Sequence, residues 1–160
     1  MKNVEQQDST FPGLQWRWLK LEQMEPFLLY DMLAMREAIF VVEQACIYNE
    51  LDGLDKVAEH LLAVDNGKVI ACLRLLLPTE EEAPVRIGRV AVTPAWRKKG
   101  MARLMMRRAV AQARRHHPSS GICLNAQTYL RDFYLSLGFE VYGDEYLEDG
   151  IPHIPMQYSG

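Results

Sequence analysis

The sequence predicts an α+β domain built on one mixed, mostly antiparallel sheet with helices on both faces. Three observations carry this. Apolar periodicity switches along the chain in the order β, α, three β, α, β, α, β, β. Asp65-Asn66-Gly67 separates two apolar runs, and Asn-Gly in that setting marks a hairpin because both residues tolerate positive φ. Between Val85 and Asn125 a strand, an amphipathic helix and a short strand follow one another, which makes the two strands parallel neighbours.

The 160 residues read as a single domain over 1–160, long enough for a substantial core. Hydrophobic content of 49% and charged content of 24% are ordinary globular values. A formal net charge of −3 gives no ground for a nucleic-acid partner. The basic runs at Arg97–Lys99, Arg107-Arg108 and Arg114-Arg115 are local features of an acidic chain. Cys46, Cys72 and Cys123 are odd in number and widely spaced. They form neither a disulfide framework nor a zinc pattern, so the simplest reading is a reducing cytoplasm and no metal. Met1–Pro12 is polar and lacks the apolar core of a signal peptide. No apolar run approaches the ~20 residues that span a bilayer.

Leu14, Trp16 and Trp18 alternate with Gln15 and Arg17, giving a first strand over Leu14–Lys20. Pro26 suits the first turn of a helix, and a helical stripe from Leu28 runs to about Phe40. Regular periodicity fades over Val41–Lys56, which reads as loop with room for a helical turn. It holds Glu43, Glu50, Asp52 and Asp55, with Glu59 close behind. These acids are either solvated or form a wall that attracts a cationic acceptor. His60–Val64, Lys68–Leu77 and Val85–Val92 make an antiparallel meander, interrupted by the polar loop Pro78–Pro84.

Thr93-Pro94 ends that meander. A helix then runs from near Gly100 to about Arg115, with Ala102, Met105, Met106, Ala109, Val110 and Ala113 on its apolar face. Arg97, Lys98, Lys99 and Gly100 precede the helix start, where unpaired N–H groups suit an anion. The stretch is either a phosphate cradle or a plain strand–loop–helix with solvated cations. Ile122–Asn125 is a short buried strand, and Cys123 on it reads as core. Thr128 is placed as the cap of a helix through Leu137, stopped by Gly138. Phe139–Tyr142 and His153–Tyr158 close the sheet around a connection over Gly143–Pro152.

Arg97-Lys-Lys-Gly100-Met-Ala102, followed by Asn125 on a strand and by Tyr134-Leu-Ser-Leu-Gly138-Phe139, resembles the signature of the GNAT superfamily of acetyl-CoA-dependent N-acetyltransferases. A closer resemblance, to its ElaA-like bacterial group, covers most of the chain. It rests on Leu33-x-x-Arg36-x-x-Ile-Phe40-Val-Val-Glu43-Gln44-x-Cys46-x-Tyr48-x-Glu50-x-Asp52, on His60-Leu-Leu-Ala63, on Ile87-Gly-Arg-Val90 and on Glu148-Asp-Gly-Ile-Pro-His153-Ile.

The resemblance implies a GNAT fold, with the sheet splayed between the strand of Val90–Val92 and that of Ile122–Asn125. It implies acetyl-CoA as co-substrate: pantetheine along Val90, Ala91 and Val92, pyrophosphate on Arg97, Lys98, Lys99, Gly100, Met101 and Ala102, and further contacts from Asn125 and Phe133. A small-molecule or peptide amine would be the acceptor, and a homodimer is common in the family. Tyr134 matches the tyrosine that protonates the departing CoA thiolate; its other reading is a helix tyrosine bonded near CoA. Several family members carry a carboxylate base where this chain has Arg86, and arginine is a poor base. Glu43, His60 and His153 are the candidate acceptor-side residues, a held water is another route, and an acceptor that arrives neutral needs no base. The alternative function is a non-catalytic acyl-CoA-binding or regulatory module, suggested by the missing strand carboxylate.

Overall fold

The computed structural model describes residues 9–160. The start of the polar segment read for a signal sequence, Met1–Asp8, lies outside the described residues. One open sheet holds eight strands: β1 (Gln15–Lys20), β2 (Ala58–Asp65), β3 (Lys68–Leu76), β4 (Val85–Val92), β5 (Ile122–Gln127), β6 (Phe139–Val141), β7 (Tyr146–Glu148) and β8 (Ile151–Tyr158). Their order is β1-β2-β3-β4-β5-β8-β6, with β7 also on β8. The β4–β5 pair is parallel and the others are antiparallel, the mixed and mostly antiparallel sheet expected. Asn66 (φ +48°) and Gly67 (φ +80°) make the β2–β3 turn.

Helices cover both faces. α1 (Pro26–Arg36) buries Leu28, Met32 and Met35 against Leu62, Val64, Cys72 and Ala91. α2 (Met101–His116) packs on the other face, where Met105, Met106 and Ala109 meet Leu61, Leu73, Ile87 and Leu124. α3 (Arg131–Leu135) adds Tyr134 to that second cluster.

Three boundaries differ from expectation. The first helix is regular only to Arg36 and continues as a π-helical segment, Glu37–Glu43. Its wider turns are closed by i→i+5 bonds such as Gln44 N–H to Ile39 O, 3.3 Å. The helix placed over Thr128–Leu137 is shorter: a 3₁₀ turn, Thr128–Leu130, precedes α3. Thr128 does not cap it, because its Oγ1 is buried without a partner. Gly138 is the stop as expected, at φ +90° with its N–H on Leu135 O. Finally, the connection over Gly143–Pro152 contains β7, joined to β8 by a two-residue turn with Asp149 at φ +50° and Gly150 at φ +79°.

Two irregularities in β4 position the site. Only Val85↔Ile122 and Arg86↔Cys123 pair β4 with β5. β5 then follows β8 from Cys123↔Gln157 to Gln127↔His153. From Ile87 onward one edge of β4 therefore has no strand partner, and its backbone groups face a gap. On the other edge, Cys72↔Ala91 and Arg74↔Gly88 leave one extra residue on β4. This is a bulge, and Arg89 within it sits at φ +52°.

Candidate active site

The gap between β4 and β5 opens into a cleft of about 630 Å³. Val90, Ala91, Val92 and Arg97 line it from β4 and the loop beyond, Asn125 from β5 and Tyr134 from α3. Glu43 and His153 also line it. Lys98–Ala102 continue from Arg97 into the first turn of α2. Gly100 caps that helix at φ +85°, and a Cβ there would meet nothing within 4 Å. The space beside Gly100 is thus open to a group approaching the free N–H groups of α2. Lys99 lies over the Trp96 ring at 5.4 Å, and Met101 is buried in the core. Phe133 and His60 are outside the cleft lining: Phe133 packs beneath the Arg103 guanidinium and against Tyr134, and His60 is buried beside Asp55.

Arg97 is already engaged. Its Nη1 and Nη2 donate to Glu43 Oε1 and Oε2 at 2.7 and 2.9 Å, and its Nε donates to Val92 O at 2.9 Å. The pair ties the end of the π-helical segment to the loop after β4. Those hydrogen bonds hold the Glu43 carboxyl below its ordinary range, which weakens it as a base.

The acids of the loop before β2 are likewise partnered. Arg36, wholly buried at the end of α1, donates from Nε to Glu50 Oε1 (2.8 Å) and forks onto Asp55 through Nη1 (2.7 Å) and Nη2 (3.1 Å). Asp55 Oδ1 also accepts from Arg74 Nη1 (3.2 Å) and His60 Nε2 (3.1 Å). Arg74 forks onto Asp52 at 2.9 and 2.6 Å. Arg89, in the bulge, donates to Glu50 Oε1 (2.7 Å), Glu50 O (3.1 Å) and Asp52 Oδ2 (3.3 Å), beside the Tyr48 ring. Burial alone would raise the Asp55 carboxyl. The hydrogen bonds from His60 and Arg36, with the Arg36 and Arg74 charges, hold it far below the usual carboxylate range instead. Three carboxylates are balanced by three guanidiniums, so Glu50, Asp52 and Asp55 do not form a free acidic wall. Their physical use is to fasten the loop to the β4 bulge.

Tyr134 is buried, and loss of hydration pushes its phenol up to about 12. Its hydroxyl makes no hydrogen bond to another described residue, and its ring packs edge-on against Phe133 and Phe139. Burial also raises the Cys123 thiol, which disfavours the thiolate a nucleophile would need. His153 Nδ1 lies 2.7 Å from Ile151 O. A carbonyl only accepts, so Nδ1 carries a proton. Nε2 is 3.4 Å from Glu148 Oε2.

A model of the acetyltransferase (GNAT) domain family matches residues 30–159 of this chain. The chain belongs to the GNAT family. Within it the chain is ElaA-like: the ElaA protein of Escherichia coli K12 is 37% identical over 145 residues, covering 89% of this chain and 95% of that one. A UPF0039 protein of Schizosaccharomyces pombe is 43% identical over 131 residues, covering 81% of this chain and 86% of its own. An acyl-CoA N-acyltransferase from Pseudomonas aeruginosa superposes with a TM-score of 0.86 at 40% identity, and E. coli ElaA with 0.85 at 35%; each covers 91% of this chain and 99% of its own. The protein is thus a GNAT-type acyltransferase, with the splayed sheet of that fold. Among the described residues no cluster of His, Cys, Asp or Glu could hold a metal ion, and no helix is long and apolar enough to cross a membrane.

The network acids and arginines carried little individual signal in sequence. Arg74 was the exception in principle. It interrupts the apolar run Val69–Leu77, and a lone arginine on a buried strand must find carboxylates. The Asp149-Gly150 dipeptide marked the β7–β8 turn in the same way that Asn66-Gly67 marked the earlier hairpin.

Proposed function

We propose that this GNAT protein transfers an acetyl group from acetyl-CoA to a primary amine by direct attack within a ternary complex. The observation that carries the reading is the unpaired β4 edge, which lines the cleft; the chain runs on from its end through Arg97 to the helix start at Gly100, just beyond the lining. Acetyl-CoA supplies an activated acyl group as a thioester. Peptide groups along Val90–Val92 are suited to pair with its pantetheine amides. The Gly100–Ala102 turn offers N–H groups and the positive end of α2 to its pyrophosphate. Lys98 and Lys99 add nearby positive charge, while Arg97 acts through Glu43 and Val92 to fix the loop. Asn125 faces the cleft from β5 and Phe133 stands behind Tyr134, a supporting rather than a contacting place.

An alkylammonium of pKa ~10 must lose a proton before its nitrogen can attack the thioester carbon. His153 is the base this geometry favours over Glu43 and His60. Its ring lines the cleft, Ile151 O fixes Nδ1, and Glu148 beside Nε2 would stabilise the imidazolium formed when the ring takes the proton. As the C–N bond forms, the carbonyl oxygen gains negative charge, and N–H groups on the free β4 edge can accept it as donors. The C–S bond then breaks, and Tyr134 gives its proton to the sulfur. A phenol near 12 stays protonated at working pH. Burial makes the phenol a weaker acid, and the same burial makes a thiolate in the cleft a stronger base, so the two effects offset one another.

The first test is thermal. Acetyl-CoA at one hundred times its Kd stabilises by about 2.7 kcal/mol, roughly 5–11 °C for a chain of this length. Gly100→Glu, which sets a carboxylate in the cradle, should abolish the shift. No shift in the wild-type protein would end the co-substrate reading. Binding without thioester consumption, across a broad amine panel, would favour a non-catalytic module.

A further inference from the structure

Resting on the acyl-transfer reading above, we infer that the acceptor amine carries an anionic group, a carboxylate or phosphate, and that Arg86 recognises it. Four arginines line the cleft: Arg74, Arg86, Arg89 and Arg97. Three are committed to carboxylates, Arg74 to Asp52 and Asp55, Arg89 to Glu50 and Asp52, and Arg97 to Glu43. Arg86 has no hydrogen bond or ion pair among the described residues. The sheet register explains why: its neighbours across the strands are Leu76 on β3 and Cys123 on β5, neither of which can neutralise a guanidinium.

Arg86 also stands at a defined place. It belongs to the last β4–β5 pair before the strands part, so its guanidinium lies where the cleft begins. The cleft's unpaired negative charge is elsewhere, at the β7–β8 turn. There the exposed Asp149 has no ion pair among the described residues, and Glu148 stands beside His153. Once the internal pairs are discounted, the acceptor space is bipolar. Arg86 supplies a positive anchor and Glu148 a negative group beside the proposed base, and both act on the Tyr146 phenol. A polyamine would meet an uncompensated guanidinium there. An amine with its own anion satisfies both ends: the ammonium near Glu148 and His153, the anion on the forked donors of Arg86. This narrows the expectation that a wall of acids between Glu43 and Glu59 attracts a cationic acceptor: those acids are paired internally, and the acceptor's anion becomes the recognised group.

The test measures release of CoA thiol with matched acceptors: β-alanine against β-alaninamide, and phosphoethanolamine against ethanolamine, beside spermidine. The expected result is a kcat/KM at least tenfold higher for one anionic member over its neutral partner. Arg86→Gln should collapse that ratio towards one while leaving the kcat/KM of the neutral amine and the acetyl-CoA thermal shift unchanged. Which pair shows the preference identifies carboxylate or phosphate. Turnover of neutral amines or spermidine with no anionic preference, or a preference that survives in Arg86→Gln, overturns the inference and leaves acyl transfer intact. Acetyl-CoA binding with no thiol release for any amine overturns both readings.

Discussion

Replacing Arg36 with methionine tests the ion network that fastens the loop to the sheet. Methionine retains much of the apolar stem but removes three donors: Nε on Glu50, and Nη1 and Nη2 on Asp55. Both carboxylates lie in the interior, and neither can be rehydrated without moving the loop. Breaking a buried pair by removing one partner costs about 3–5 kcal/mol. Arg89 still serves Glu50, and Arg74 with His60 still serves Asp55, which places the expectation nearer 3 than 5 kcal/mol, or roughly 6–12 °C in Tm. The assay is urea unfolding followed by tryptophan fluorescence, repeated from pH 8 to pH 2. The sign follows from Asp55, whose folded-state pKa is depressed. Its contribution is complete above the unfolded value of ~3.9 and is lost as pH falls towards the folded one. In Arg36→Met the depression is smaller, so the variant stops losing stability at a higher pH than wild type, and the gap narrows only as pH falls below ~3.9. A loss below ~1 kcal/mol at pH 8, or a gap that widens in acid, would refute the reasoning.

Two further outcomes are specific. Gly138→Ala should lose about 1–3 kcal/mol, because positive φ is joined by a Cβ 3.0 Å from Gly160 O and 3.2 Å from Tyr158 Cε2. Gly100→Ala, with similar φ but open space, should lose only about 1 kcal/mol; equal losses in urea unfolding would contradict the contact argument. Tyr134→Phe should lower kcat about a hundredfold without changing acetyl-CoA affinity. Since the phenol ionises near 12, no limb of the kcat profile below about pH 10 should vanish with it, and His153→Gln should lower kcat with the same amine while leaving the acetyl-CoA thermal shift in place.

The meander, the parallel β4–β5 pair and the long α2 were legible because each is set by local pattern: alternation, an Asn-Gly turn, a helical stripe. The glycine turn before α2 was legible because φ +85° favours that residue. What sequence could not show was pairing between distant charges. Arg36 and Asp55, or Arg97 and Glu43, are brought together only by packing α1 on the sheet. A loop rich in acids therefore read as either solvated or a negative wall. The bulge at Arg89 was hidden for a related reason. Positive φ usually calls for Gly or Asn, and here the strain in an arginine is offset by three acceptors from Glu50 and Asp52.

That pairing bears on why the charges are there at all. Apolar side chains of equal volume would stabilise this interior about as well, but they would not select one backbone geometry. Arg89 holds both a side-chain oxygen and the main-chain carbonyl of Glu50, and its own backbone forms the bulge. The loop bordering the acceptor space is thereby keyed to the strand whose free edge faces the cleft. A shift in either would break bidentate contacts rather than slide a greasy surface. The same accounting isolates Arg86. Every other arginine lining the cleft has a carboxylate that fixes it, which leaves the exposed Arg86, among the described residues, as the lining guanidinium free to meet an anion from outside the chain.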